Sequence, residues 1–346
     1  MGVQLKFRPL SFSWVALHPQ PKGVIHFIGG AFFGSLPTFC YWFLLRSLYA
    51  QGYTIIALPF RFSFRHWAIA GRLFKEQEQL RPLLIAEAQH LGYETEIYRD
   101  HQHDIWLGHS LGCKYIALLE FLSDPQWQTI LRQSLGNTAA ESVIATLSSI
   151  MQQPISIQDQ ASILMAPDIS DTESAIPLRG IARLLDNLGW GVLPTRHQTQ
   201  TLVQRSQLFN LTALIAFKED DIAGNGSPTQ AGRHPGEASD VHWFLRLLQQ
   251  RKPPLLFAEL PGKHLEPLGC QIGGWTVNPL GIQKGALASR PIEPTIVKFA
   301  EILCLPRLES QPSQIGQTGI DKQLSDQSKV QSWTVLGQGI AEGSPP

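Results

Sequence analysis

Five residues, Gly108-His109-Ser110-Leu111-Gly112, constrain this chain more than any other stretch, because of what stands on either side of them. The run Asp104 to His109 reads as a short apolar strand that enters the pentapeptide, and Leu111 to Leu122 reads as a helix that leaves it at once. In that setting G-x-S-x-G predicts a sharp strand-to-helix turn that lifts the serine above a sheet, with glycines where a side chain would clash. The pattern alone is common, and the flanking strand and helix give it weight. Ser110 is therefore expected to hold backbone dihedrals unusual for a residue with a side chain.

The rest of the chain supplies a sheet around that turn. Val24 to Ile28, Tyr53 to Phe60, Ala161 to Ala166, Thr212 to Phe217 and Pro254 to Leu260 read as further strands. Helical runs fall between them at Thr38 to Ala50, Ala68 to Leu91, Glu141 to Met151 and Val241 to Gln250, with a last one near Pro294 to Leu303. Strands alternating with helices predict a mostly parallel sheet with helices on both faces, the α/β-hydrolase fold. Pro167 to Gln207 carries no strand signal, which is long for a connection and predicts an inserted lid or cap. Beyond Pro306, Ser, Gln, Gly and Pro dominate. Residues 1–305 are expected to form the hydrolase-like domain, with the lid at about 167–207 and residues 306–346 as a disordered tail.

Composition narrows the classes of partner. Lys plus Arg and Asp plus Glu both number 28, so no net field favours nucleic acid or an anionic surface. Cys40, Cys113, Cys270 and Cys304 form no CxxC pair and no signal peptide precedes them, which predicts reduced thiols and a cytoplasmic setting. The apolar run Leu36 to Ala50 is short of the roughly 20 residues that span a bilayer and contains Arg46. It reads as a core helix, with no transmembrane segment expected and peripheral membrane contact left as a second reading.

A serine hydroxyl is a poor nucleophile near neutral pH and needs a base within hydrogen-bond reach, itself oriented by a carboxylate. In this fold those residues follow in the order serine, acid, histidine. Asp220 and Asp221 both follow the strand Thr212 to Phe217, and the apolar Ile222 two places on favours Asp220. Asp168 is a further acid after a strand. His264 stands just past the strand Pro254 to Leu260, where the base is delivered. His109, on the strand side of the turn, is expected to orient neighbours and not to take the proton.

A tetrahedral intermediate also needs N–H donors for its oxyanion. The amide of Leu111 is one candidate, and Gly30 and Ala31, in the turn Gly29-Gly30-Ala31-Phe32, are the others. That turn resembles the H-G-G-G loop of lipases and esterases, with Ile28 in place of the histidine and Ala31 in place of the third glycine. Asp100, His101, His103 and Asp104 are typical metal-ligand types, but they precede the elbow strand and lie a strand's length from Ser110. They read as a solvated turn, and neither metal nor cofactor is expected. Tyr41-Trp42-Phe43 and Trp190 read as packing aromatics, because no basic stripe accompanies them.

The run His26 to Gly34, the elbow with Cys113-Lys114-Tyr115 after it, and the segment Leu260-Pro261-Gly262-Lys263-His264-Leu265 resemble the family called domain of unknown function 1350. The resemblance covers about residues 1 to 305. It implies an α/β-hydrolase-like fold, a cyanobacterial or plastid setting, and serine, aspartate and histidine at Ser110, Asp220 and His264, without an established reaction. The leading reading is hydrolysis of a small-molecule acyl ester or thioester with an apolar acyl group, the apolar preference resting on Ile176, Leu178, Ile181, Leu184, Leu185 and Trp190 at near-helical spacing in the lid-like stretch. The alternative from another class is a catalytically silent binding or assembly factor on the same fold.

Overall fold

In the computed structural model the described residues are 4–151, 154, 156–169, 192–207, 210–230, 232, 237–251, 255–272, 275–278, 280, 289–304 and 334–336. Strands β1 (Arg8–Leu10) and β2 (Ser13–Ala16) form an antiparallel hairpin, followed by β3 (Gly23–Ile28) and β4 (Tyr53–Ala57). Then come β5 (Asp104–His109), β6 (Ala161–Met165), β7 (Leu211–Phe217) and β8 (Leu255–Leu260). A two-stranded ribbon of β9 (Cys270–Ile272) and β10 (Trp275–Val277) stands apart, and β11 (Thr334–Leu336) is the last strand.

The main sheet runs β1-β2-β4-β3-β5-β6-β7-β8-β11. From β4 to β8 every neighbouring pair is parallel, whereas β2 joins β4, and β11 joins β8, antiparallel. Successive residues of a strand face opposite sides. All six residues of β3 and of β5, and all five of β4 and β6, are buried, so both faces of the central sheet are covered.

The cover comes from helices α1 (Pro37–Cys40), α2 (Trp42–Ala50), α3 (His66–His90), α4 (Leu111–Leu122), α5 (Trp127–Leu135) and α6 (Asn137–Ile150). They are joined by α7 (Arg196–Arg205), α8 (Asp240–Gln250) and α9 (Ile292–Cys304). Helix α2 packs on β4 and against α9, while α3 packs on α4 and α6. All twelve residues of α4 are buried, which explains why it lacks a polar stripe.

Several boundaries differ from the sequence reading. The helix expected over Thr38 to Ala50 is broken at Tyr41, whose φ of −114° and ψ of 24° leave helical geometry. The strand expected to run to Phe60 ends at Ala57, two residues before Pro59, which has no amide proton for a ladder. The β1–β2 hairpin and α5 were not anticipated.

Most of the expected lid falls outside the described residues, including Ile176, Leu178, Ile181, Leu184, Leu185 and Trp190. Its described end contains α7, whose first turn carries a reciprocal cap between Thr195 and Gln198. Of the expected tail, β11 is described and the remainder from residue 306 lies outside the described residues. Among the described residues no helix is long and apolar enough to cross a membrane.

Candidate active site

The register of β5 fixes where the elbow sits. Gly108 pairs with Ile28 on β3 and His109 with Met165 on β6, so Ser110 emerges between two parallel neighbours at their C-terminal ends. Its amide donates to the carbonyl of Met165 at 3.0 Å, and its own carbonyl accepts from Cys113 at 3.0 Å as α4 begins. Ser110 has φ 54° and ψ −122°, a positive-φ conformation that costs of order 1–3 kcal/mol for a residue with a side chain.

The flanking glycines show why the turn needs its sequence. A Cβ on Gly112 would lie 2.2 Å from the carbonyl oxygen of Ile28 and 2.7 Å from that of Gly29, so α4 could not start this close to β3. At Gly108 a Cβ would come within 2.8 Å of an Ile116 methyl and 3.0 Å of the Cys113 amide nitrogen.

Ser110, His264 and Asp220 form one hydrogen-bonded chain. His264 Nδ1 is 2.9 Å from Asp220 Oδ2, and its Nε2 is 2.8 Å from Ser110 Oγ. An ionised carboxylate only accepts, so Nδ1 carries the proton and donates to it. That leaves Nε2 as the acceptor for the Ser110 hydroxyl. Asp220 is fully buried, and its other oxygen, Oδ1, accepts from the amides of Ile222 at 2.8 Å and Ala223 at 2.9 Å. The loop after β7 thereby locks the carboxylate while Asp221, its neighbour, is exposed. The Asp168 amide donates to the carbonyl of Ser110 at 3.3 Å, so this acid is backbone-linked to the elbow, and the carboxylate on the His264 ring is that of Asp220.

A second chain runs behind the first. His109 is fully buried with Nε2 2.9 Å from the carbonyl oxygen of His264 and Nδ1 2.8 Å from Tyr41 Oη. The carbonyl requires a proton on Nε2, so Nδ1 accepts from the Tyr41 hydroxyl. Burial, aided by the neighbouring His264, pushes the His109 pKa down to about 3 and keeps the ring neutral. Tyr41 in turn accepts from the amide of Gly30 at 2.8 Å.

This corrects one part of the oxyanion expectation. The Gly30 amide is spent on Tyr41, and it is the amides of Ala31 and Leu111 that have no hydrogen-bond partner among the described residues. Tyr41, read from the sequence as a packing aromatic, is buried but also bonds through its hydroxyl to His109, 68 residues away, a contact that no local signal gives.

Arg290 was missed. Its guanidinium is buried and donates to the carbonyls of Glu266 at 2.5 Å, Leu268 at 2.6 Å and Pro267 at 3.0 Å, and to Glu293 Oε1 at 2.7 Å. It thus clamps the segment directly after His264.

Of the segment expected to be a solvated turn, Asp100 and His101 are exposed and His103 is partly so, and only Asp104 departs from the expectation. Asp104 is buried at the start of β5, hydrogen-bonded to Arg81, with His26 Nε2 at 3.2 Å and His101 Nδ1 at 3.3 Å. Burial alone would raise its pKa, but His26, His101 and Arg81 hold the carboxyl well below the usual range. Asp104 and Ser110 stand at opposite ends of β5. Among the described residues no group of three or more His, Cys, Asp or Glu side chains could hold a metal ion.

A nearly all-parallel sheet in the order 1-2-4-3-5-6-7-8 with β2 reversed, carrying a strained serine at the turn after β5, defines a protein of the α/β-hydrolase fold. The chain belongs to the family described as Protein of unknown function (DUF1350), whose profile matches residues 6–281. No curated protein matches the sequence.

Among solved structures it is similar to Thermogutta terrifontis esterase 2 phosphonylated by sarin, at 12% identity and a TM-score of 0.43, over 87% of this chain and 93% of that one. It is similar to the carboxylesterase Cest-2923 from Lactobacillus plantarum WCFS1, at 13% identity and 0.41, over 74% and 82%. A Pyrobaculum calidifontis esterase gives 13% identity and 0.40, over 72% and 71%. The fold assignment rests on the strand order and not on these likenesses.

Proposed function

We propose that this chain is a serine hydrolase that cleaves an ester or thioester with an apolar acyl group through an acyl-enzyme on Ser110. The observation that carries the reading is the pair of contacts on one imidazole, 2.8 Å from Ser110 Oγ and 2.9 Å from Asp220 Oδ2, at a serine with a positive φ.

In the proposed reaction His264 Nε2 takes the hydroxyl proton as Ser110 Oγ bonds to the acyl carbon. Asp220 steadies the imidazolium that forms. The carbonyl oxygen becomes negative and meets the amides of Ala31 and Leu111; a donor of this kind is worth about 10²–10³ in rate. The intermediate collapses, the bond to the alcohol or thiol breaks, and the leaving group takes the proton from His264. Water then repeats the sequence on the acyl-enzyme, releasing the acid and restoring the serine.

The apolar preference is supported by Phe32, which follows Ala31 and is 64% exposed, with its ring 4.8 Å from that of Phe62. We read residues 1–305 as one catalytic unit and 306–346 as a tail outside the chemistry.

A fluorophosphonate probe read by peptide mass tests the proposal. Wild-type protein should carry the adduct on Ser110, and Ser110→Ala should carry none. Wild-type protein left unmodified by phosphonate, ester and thioester probes alike would turn the reading to a hydrolase-fold binding factor.

A further inference from the structure

A groove of about 1150 Å³ opens between the segment after β4, one face of α3, helix α6 and the tip of the β1–β2 hairpin. Its size is just above the roughly 300–1,000 Å³ range of small-molecule sites. Arg65, Ile69, Arg72, Glu76 and Gln79 border it at three-to-four-residue spacing, so a single face of α3 forms one wall. Phe60, Val143 and Ile150 supply apolar surface opposite. Phe60 joins the groove to the turn after β3, since its amide donates to the carbonyl of Gly34 at 3.2 Å.

Two arrangements mark this as a built site. Among the described residues Glu76 is the only acid bordering the groove, and it is buried, accepting from Ser11 Oγ at 2.9 Å, the Phe12 amide at 2.8 Å and Ser13 Oγ at 2.9 Å. Those bonds tie the hairpin tip to α3 and hold Phe12 at the groove with 83% of its surface exposed. Against that spent carboxylate stand Arg61, Arg65, Arg72 and Lys75, all exposed and all bordering the groove. Among the described residues none of the four is paired with a carboxylate. In a chain with 28 cationic and 28 anionic residues this is a local excess, placed beside apolar walls.

We infer that the groove binds a single-chain amphiphile with an anionic, phosphate-type head group. The arginines offer forked donors that fit phosphate oxygens, and four cations around one cavity match a head of more than one negative charge. The alkyl chain lies along Phe60, Val143 and Ile150 with Phe12 at the mouth. The inference concerns binding and does not depend on hydrolysis at Ser110.

Calorimetric titration of the full chain with octyl phosphate below its micelle concentration tests it, beside octyl glucoside and inorganic phosphate. Octyl phosphate should bind one to one, about tenfold or more tighter than either control, and more weakly as salt rises. Arg72→Gln/Lys75→Gln should weaken it about tenfold, Arg61→Gln/Arg65→Gln likewise, and Ser110→Ala should leave it unchanged. Absence of binding, equal affinity for octyl glucoside or for inorganic phosphate, indifference to both charge variants, or loss in Ser110→Ala would each overturn the assignment.

Discussion

The ring of His109 donates from Nε2 to the carbonyl oxygen of His264 at 2.9 Å, so the residue before Ser110 holds the backbone of the residue that contacts the Ser110 hydroxyl. Replacing His109 by Phe removes that donor and leaves the Tyr41 hydroxyl without its acceptor in a buried site. The expected cost is about 1–3 kcal/mol for each group left unsatisfied, read as a lower urea midpoint. The rate of Ser110 labelling should fall as well, while His109→Gln, whose amide can both donate and accept, should recover part of both losses. Unchanged labelling in His109→Phe would show that the His264 backbone holds its place without this bond.

The two acids after β7 make a paired test. Asp220→Asn should cut turnover by about 10⁴, because an amide in that position no longer enforces the tautomer that accepts the serine proton. Asp221→Asn, at an exposed side chain, should leave turnover within twofold. Equal losses in both variants, measured as kcat/KM on one aryl ester, would move the acid away from Asp220.

Arg290 is expected to be a stability residue whose loss is felt at His264. Arg290→Met strips the Pro267 and Leu268 carbonyls of their donor, while that of Glu266 keeps Asn278, and leaves Glu293 buried without its partner, a change worth about 3–5 kcal/mol. Thermal melting should show a large drop in Tm, and Arg290→Met/Glu293→Met should recover part of it. A double variant no better than the single one would mean that the carbonyl clamp, and not the stranded acid, carries the cost.

His66 gives a prediction in pH. Burial, with Lys114 nearby, holds its pKa well below the ordinary value, so the unfolded chain takes up a proton near pH 6.5 that the folded chain refuses. Its contribution is full above pH 6.5 and is lost as pH falls, by up to about 1.4 kcal/mol per pH unit. Asp240, raised to about 6 chiefly by burial, works in the opposite sense, as does Glu293, so the sign is read by difference. Relative to wild type, His66→Phe should gain stability steadily from pH 6.5 to pH 5 in urea titrations. Parallel curves would mean that His66 titrates alike in both states.

The glycines of the elbow should separate by what their missing side chains would strike. Gly112→Ala drives a methyl into backbone carbonyl oxygens that cannot move, and an expected loss above about 4 kcal/mol leaves little folded protein. Gly108→Ala meets the end of the Ile116 side chain first, which can turn away, so a smaller loss of about 1–3 kcal/mol is expected. Urea denaturation orders the two, and the reverse order would contradict the packing described at the start of α4.

What could be read from the sequence was local. β3, β5, β6, β7 and β8 are apolar runs of five to seven residues bounded by turns, and each signals itself. The hairpin was not legible because β1 and β2 are three and four residues long, too short for alternation to register. Ser110, Asp220 and His264 could be singled out because each lies within four residues of the end of a strand. His109 could be read as an orienting residue from its place before Ser110, but its partners, Tyr41 and the His264 carbonyl, and the contacts of Arg290 are made across the fold, and no spacing encodes those. His26 and Arg81 show the same limit: they turn Asp104 from an expected surface acid into a buried one, and both lie far from it in sequence.

Ser110 and His264 are separated by 154 residues, and between them in the sheet stand the pairings of β5 with β6, β6 with β7 and β7 with β8. Contacts of such separation carry a large loop-closure cost and form slowly. The serine and the imidazole are therefore expected to meet after the three parallel seams have closed in register, which time-resolved Ser110 labelling during refolding would check. The appearance of a reactive serine during refolding would be a clock for the last stage of assembly, keeping time that helix signals from α3 or α4 would miss.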